Sequence, residues 1–199
     1  MNNSIELSLA FKGEREYIHG TDVINESIKQ LKDLNKNITV QFHEMLYFPV
    51  VLAEIPFMEL STFKKLNDVS GSIMYETKHG DKKLLVLVQN NEKKISDRHE
   101  HDESIIIEGY VINDKTISQD YKNHGSFIER VVSLYKKLLN TIVSKEFWLF
   151  VRIDLSYYPS DIQNISIKLT NRVGGRMFKA SISSNGTCLG TLVFLKGDM

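Results

Sequence analysis

Neither sign of charge prevails in this chain of 199 residues, where 25 Lys and Arg stand against 25 Asp and Glu for a formal net charge of zero. A general grip on nucleic acid needs a basic excess to neutralise phosphates, so that class is excluded. Cysteine is nearly absent. The single Cys188 can make no internal disulfide, nothing points to an oxidising compartment, and a small buried hydrophobe is its default role. Long apolar runs are missing as well. The longest, Leu46 to Leu60, is broken by Glu54, Glu59, Pro49 and Pro56 and is too short to span a bilayer. The opening MNNSIELSLAFKGE shows no basic segment followed by an apolar one, so no secretory leader is read there. Together these absences lead to the expectation of a soluble, cytoplasmic protein with neither nucleic acid nor membrane among its partners.

What is present is ordinary globular material, 42% hydrophobic and 25% charged, with enough apolar and aromatic side chains to offset ordering entropy. The length falls awkwardly between one domain and two. Residues 4–12 alternate Ile5, Leu7, Leu9 and Phe11 with polar or small neighbours, the period of a half-buried strand. Gly13 and Gly20 bracket a short connection. Thr21 then offers an N-cap hydroxyl, Asp22 a first-turn acid, and Ile24, Ile28, Leu31 and Leu34 recur at helical spacing, predicting a helix from Thr21 to about Asn35. Strands follow over Ile38–Phe42 and Leu46–Ile55, bent or held at an edge by Pro49 and Pro56. Residues 72–89 read as a hairpin around His79-Gly80-Asp81. Residues 90–103, NNEKKISDRHEHDE, carry almost no apolar side chain and read as a linker.

Beyond the linker, Ile105, Ile107, Gly109 and Val111 predict another strand. Ser126 to about Val143 is the strongest helix of the chain, with Phe127, Ile128, Val131, Val132, Tyr135, Leu138, Leu139 and Ile142 covering a broad apolar face. Strands are predicted over Phe147–Tyr158, closed by Pro159, and around Ile165, Ile167 and Leu169. A final hairpin turns at Ser184-Asn185-Gly186, where Asn-Gly is a strong turn signal.

The two halves run through the same elements in the same order, the signature of an internal repeat. Tyr17, His19 and Gly20 match Tyr121, His124 and Gly125; Tyr47-Phe48-Pro49 matches Tyr157-Tyr158-Pro159. Gly80 stands 61 residues after His19, and Gly186 stands 62 after His124, although the intervening prolines fit less closely at 30 and 35. A unit of one long helix and about five mainly antiparallel strands, roughly 100 residues, is an α+β layer pair that leaves a sheet edge unpaired. This order of elements resembles the hotdog superfamily, in which a curved sheet wraps a central helix and units pair edge to edge. The resemblance implies a double hotdog, with two long central helices, each wrapped by a curved, mainly antiparallel sheet. It divides the chain into a first unit at 1–89, a linker at 90–103 and a second unit at 104–199.

Chemistry is expected where His-Gly enters each helix. A helix N-terminus offers unsatisfied N–H groups and partial positive charge to a carbonyl oxygen, and Gly20 or Gly125 allows close approach. The resemblance implies acyl-thioester chemistry on coenzyme A or acyl carrier protein, either as a thioesterase (a hydrolase) or as a β-hydroxyacyl dehydratase (a lyase). His19 and His124 would be general bases or orienting groups. Asn123-His124-Gly125 is similar to the Asn…His-Gly…acid pattern of one thioesterase group. It departs from that pattern at Ser126, where a second glycine is usual, and its nearest acid is Glu129. Dehydratases of the superfamily pair a His of one unit with a carboxylate of the other, which implies His19 with Glu129, or His124 with Asp22 or Glu26. Each residue has a plainer reading beside this one: His before Gly is a common turn, Asp22 complements the helix dipole, and Glu26 and Glu129 face solvent. Arg172 and Arg176 flank Gly174-Gly175 and are candidates for an anionic headgroup. The Arg98–Glu103 run has consecutive His and acids but no preorganised shell, so neither metal nor cofactor is expected. The same resemblance allows a homodimer of double hotdogs, and leaves open a non-catalytic scaffold that senses an acyl ligand or binds a protein partner.

Overall fold

A computed structural model describes residues 4–59, 61–62, 69–120, 125–159 and 164–197. The chain forms two compact units, Met1–His101 and Asp102–Met199.

In the first unit, β1 (Ser4–Glu6), β2 (Phe11–Lys12), α1 (Gly20–Gln30), β3 (Leu34–Phe42), β4 (Val50–Glu54), β5 (Val69–Thr77), β6 (Lys82–Gln89) and β7 (Arg98–His99) follow in order. Five of these strands form an antiparallel sheet in the order β1-β4-β6-β5-β3. Leu52 pairs with Leu87, and Ile73 with Leu85, and all four are buried. α1 contributes Val23 and Ile24 to the core. The opposite face of the sheet is apolar too. Ala53, Ile55, Leu84 and Val86 form a buried cluster there, with Val69, Met74 and Val88 packed against it. The predicted hairpin turns at His79–Asp81, where the Thr77 hydroxyl accepts from the amides of His79 (3.2 Å) and Asp81 (3.1 Å).

α1 is shorter than its sequence period implied. It ends at Gln30, and Leu34, read as the last helical apolar position, opens β3 instead. Two polar residues explain the difference. Asp33 accepts from the Tyr75 hydroxyl at 2.9 Å and meets Lys83 Nζ at 3.3 Å, which draws the chain off the helix axis onto the sheet. Asn37 adopts φ 52° inside β3 at a shift of register and donates to Glu76 at 2.9 Å. Asn tolerates this left-handed conformation better than most residues, and such an irregularity bends the strand. Of the two central helices expected to be long, the first is therefore only 11 residues, while the second runs to 16.

The stretch expected to be a solvated linker is partly ordered. β7, near its end, pairs in parallel with β2 in a small separate ladder.

The second unit comprises α2 (Glu103–Ile106), β8 (Tyr110–Asn113), β9 (Thr116–Gln119), α3 (Phe127–Ile142), β10 (Trp148–Tyr157), β11 (Ile165–Val173), β12 (Met177–Ser184) and β13 (Thr187–Lys196). Ile105 was expected on a strand. The Asp102 carboxylate accepts from the Ser104 amide at 2.8 Å and caps a helical turn there. The six strands are antiparallel in the order β10-β13-β12-β11-β9-β8. Along β12, Phe178, Ala180 and Ile182 are buried while Lys179, Ser181 and Ser183 alternate with them. α3 buries ten residues, among them Tyr135, which meets Phe194 edge to face at 5.2 Å. The β12–β13 turn forms as its sequence implied, with Asn185 at φ 49° and Gly186 at φ 78°, the geometry of a type I′ hairpin. Cys188, expected to be buried, is exposed; it follows that turn closely, beside a register shift between Ile182 and Ser183.

The two units repeat their elements but not their strand order. In the second, the strand after the helix (β10) lies beside the last strand, β13. In the first, the corresponding β3 lies beside the penultimate strand, β5, and the last strand, β6, sits against β4. The final hairpin thus enters the two sheets in opposite senses. No helix among the described residues is long and apolar enough to cross a membrane.

Candidate functional site

The start of α1 gathers most of the residues singled out in the first unit. The helix begins at Gly20, and His19, not Thr21, holds the N-cap position with extended φ −74° and ψ 129°. The imidazole makes no capping bond. Instead its Nδ1 shares a hydrogen bond of 2.6 Å with the hydroxyl of Thr21, which is fully buried. The His19 carbonyl accepts from the amides of Asp22 (2.9 Å) and Val23 (3.4 Å). The preceding amides, of Gly20 and Thr21, belong to the first turn that helix geometry leaves without intrahelical acceptors. Asp22 sits in the first turn as expected, its carboxylate 2.6 Å from Lys12 Nζ on β2. Both side chains of that pair are largely shielded from water, at 12% and 19% exposure. Glu26, one turn on, accepts from Gln30 (3.1 Å) and Lys29 (3.2 Å). The Gln30 bond, opposed by partial burial and aided by Lys29, holds its carboxyl below the usual range.

A residue absent from the sequence-based candidates joins this group. The ring of His101 lies 6.0 Å from that of His19, inclined at 43°. It is carried there by a strap, residues 97–101, laced to residues 11–15. Phe11 donates its amide to Asp97 O and Gly13 donates to His99 O, both at 2.9 Å. The Arg98 guanidinium donates to the carbonyls of Gly13 and, at 3.0 Å, Arg15, and lies 5.4 Å over the Phe11 ring. The signal for this was the very run of His and acids that reads as solvated linker.

In the second unit, His124 and Asn123 lie outside the described residues. Gly125 adopts φ +97°, a conformation that glycine reaches without strain. The N-terminus of α3 is closed by a capping box: Ser126 Oγ accepts from the Glu129 amide at 3.2 Å, and Glu129 Oε2 accepts from the Ser126 amide at 2.8 Å. Glu129 therefore does not simply face solvent. Beside it, Arg130 is only 3% exposed and donates from Nε to Gln119 Oε1 at 2.9 Å. Gln119 in turn donates to the carbonyls of Ile106 (2.9 Å) and Glu108 (2.8 Å). Burial draws the Arg130 guanidinium below its usual pKa. Sequence reasoning passed over it, although a charge between Ile128 and Val131 on a broadly apolar face was a visible anomaly. Arg172 and Arg176 flank the β11–β12 turn, and the Arg172 guanidinium lies 5.1 Å over the Phe178 ring.

Two of the open depressions among the described residues lie in the first unit. One, about 370 Å³, is walled by Ile5, Leu31, Tyr75 and Leu85 with Asp33 and Lys83 at its polar side. The other, about 350 Å³, lies along Glu54–Phe57 and Lys82–Leu84. His19 lines neither. Among the described residues, no group of three or more His, Cys, Asp or Glu could hold a metal ion.

No family model matches the sequence, and no curated protein matches it either. Solved structures do. The pyran synthase domain from module nine of the sorangicin pathway superposes with a TM-score of 0.52 at 8% identity, over 98% of this chain and 93% of that one. A protein of Novosphingobium aromaticivorans DSM 12444, provisionally named a thioesterase, gives 0.51 at 7% identity, over 98% and 95%. The dehydratase domain of PpsC from Mycobacterium tuberculosis, solved in complex with C12:1-CoA, gives 0.50 at 10% identity, over 98% and 92%. The chain has the hotdog fold, and near-complete coverage on both sides supports a double hotdog. At these identities the likeness establishes the fold alone.

Proposed function

We propose that the chain handles acyl thioesters borne on coenzyme A or acyl carrier protein, with its working site at the start of α1 in the first unit. The observation that carries this reading is the placement of His19: an imidazole at the N-cap of α1, uninvolved in capping, beside the Gly20 and Thr21 amides. With a proton on Nδ1 donated to Thr21, Nε2 presents its lone pair as a base. In thioester hydrolysis, that nitrogen takes a proton from water as the water oxygen adds to the carbonyl. The C–S bond then breaks and the proton passes to the departing thiolate, giving acid and thiol. In β-hydroxyacyl dehydration, it removes the α-proton, and the β-hydroxyl leaves with a proton from an acid as water, giving the 2-enoyl thioester. The helix-start amides stabilise the carbonyl oxygen as it gains charge in either case.

The remaining assignments belong to the same proposal. Asp22, Glu26 and Glu129 are candidate acids, His124 and Asn123 the second-unit counterparts, and Gly20 and Gly125 the points of close approach. Arg172 and Arg176 are candidates for an anionic headgroup. The layout of unit, connecting stretch and unit, a cytoplasmic location and a homodimer complete the reading.

One observation favours the alternative, a non-catalytic scaffold that senses an acyl ligand or binds a protein partner. Each candidate acid has a structural occupation: Asp22 with Lys12, Glu26 with Lys29 and Gln30, Glu129 in the capping box. A panel of acyl-CoA and acyl-ACP thioesters separates the two. Turnover lost in His19→Ala supports catalysis; thermal stabilisation by a thioester without turnover supports the scaffold; no response to any thioester removes both ligand-based readings.

A further inference from the structure

Each unit brings its copy of a repeated segment, Tyr47-Phe48-Pro49 or Tyr157-Tyr158-Pro159, to the start of its own helix. In the first, Ile18 donates its amide to the Leu46 carbonyl at 2.7 Å, an antiparallel bridge one residue before the N-cap of α1. In the second, Tyr158 meets Phe127, the first residue of α3, edge to face at 5.8 Å. Burial and, after it, the charge of Glu129 in the same first turn push the Tyr158 phenol pKa up. The tyrosine that opens each segment stays exposed, Tyr47 at 47% and Tyr157 at 44%.

The loop that carries Tyr47 is held along its length. Gln89, at the end of β6, accepts at Oε1 from the amides of Tyr47 (2.7 Å) and Phe48 (3.1 Å). Its Nε2 donates to Glu44 Oε1 (2.9 Å), to the hydroxyl of buried Ser70 (3.1 Å) and to the Met45 carbonyl (3.4 Å). Backbone bonds of 2.8 Å from His43 to the Ser70 carbonyl and from Asn90 to the Pro49 carbonyl tie the two ends. Ile18 and Leu46 are buried, and extended residues next to a paired one turn to the opposite face. His19, with its extended backbone, and Met45 and Tyr47, which flank Leu46, therefore turn away from the core. The Tyr47 hydroxyl donates to Met45 Sδ at 3.5 Å, so these two side chains lie together. A phenol ring and a thioether offer an uncharged, polarisable surface, and their fixed backbone leaves little ordering cost on binding. We infer that Tyr47 is a specificity-determining residue of the α1 site: its ring, with Met45 beside it, is the wall against which the acyl group of a thioester packs, so that apolar acyl groups of several carbons are taken in preference to acetyl. The inference rests on the reading of the start of α1 as the thioester site.

The test compares octanoyl and acetyl thioesters, on coenzyme A and on acyl carrier protein, in the full-length wild type, Tyr47→Ala and Tyr47→Phe. Both kcat/KM and the calorimetric dissociation constant are measured, so that the ratio is read with or without turnover. The wild type is expected to favour octanoyl. Tyr47→Ala should lower the octanoyl-to-acetyl ratio about 10-fold, the equivalent of about two methylene groups returned to water. Tyr47→Phe, which keeps the ring, should hold the ratio within about 2-fold. A merely structural role would weaken both thioesters alike and lower the melting temperature. No preference for octanoyl in the wild type, or an unchanged ratio in Tyr47→Ala, overturns the inference, as does a loss in Tyr47→Phe equal to that in Tyr47→Ala. The two readings fail separately. No response to any thioester removes the α1 site and the inference with it; conversion lost in His19→Ala with a ratio unmoved in Tyr47→Ala removes Tyr47 alone.

Discussion

Tyr75 donates its hydroxyl to Asp33 at 2.9 Å, binding β5 to the turn that ends α1. Burial works against ionisation of Asp33, but the Tyr75 hydroxyl and Lys83 outweigh it and hold the carboxyl below its ordinary value of 3.8. A carboxylate whose folded pKa is depressed contributes stability above its unfolded pKa and loses that contribution as the pH falls through the folded value. Tyr75→Phe is therefore expected to cost about 1 kcal/mol at neutral pH, as for loss of a partly solvated bond to a charged group. Asp33→Asn should show a destabilisation at pH 7 that shrinks toward pH 3. Urea unfolding midpoints at the two pH values check both; a deficit that grows on acidification would contradict this sign.

Tyr135 poses the opposite case. It is wholly buried on α3, and its hydroxyl has no hydrogen-bond partner among the described residues. Burial pushes its phenol pKa up. A buried polar group left unpaired costs on the order of 1–3 kcal/mol, so Tyr135→Phe, which keeps the edge-to-face contact with Phe194, is expected to leave stability unchanged or raise it. Thermal unfolding decides, and a loss above about 1 kcal/mol would mean that the hydroxyl has a partner in solution, such as an ordered water.

The capping box at Ser126 separates a structural from a chemical role for Glu129. Ser126→Ala is expected to cost about 1 kcal/mol through loss of the cap. Glu129→Gln preserves an acceptor for the Ser126 amide and should stay within about 0.5 kcal/mol of the wild type. If Glu129 also supplies a proton in catalysis, the Gln variant loses roughly 100-fold or more in turnover at intact stability. Melting curves and rates measured on the same preparations distinguish the outcomes.

Much of the fold was legible because it rests on local periods. The two turns at His79–Asp81 and Asn185–Gly186 and the apolar face of α3 were all visible in the sequence. What escaped depends on contacts between distant residues. The end of α1 is set by Asp33 reaching Tyr75 and Lys83, and the conformation of Asn37 by Glu76, none of which a local window can weigh. The opposite insertion of the final hairpin is equally invisible, because alternation along β5, β6, β12 and β13 is the same whichever strand lies innermost. At the candidate site, His19 and Asp22 could be named from their place at a helix start. His101 could not, since its approach depends on β7 pairing with β2.

The most direct test is the rate at which the purified protein converts acyl-CoA and acyl-ACP thioesters, compared between the wild type and His19→Ala at equal folded fraction. The expected result is conversion of at least one thioester, with kcat/KM lowered about 100- to 10,000-fold in the variant, as for removal of a general base. Conversion undiminished in His19→Ala would contradict the assignment of the site to the start of α1.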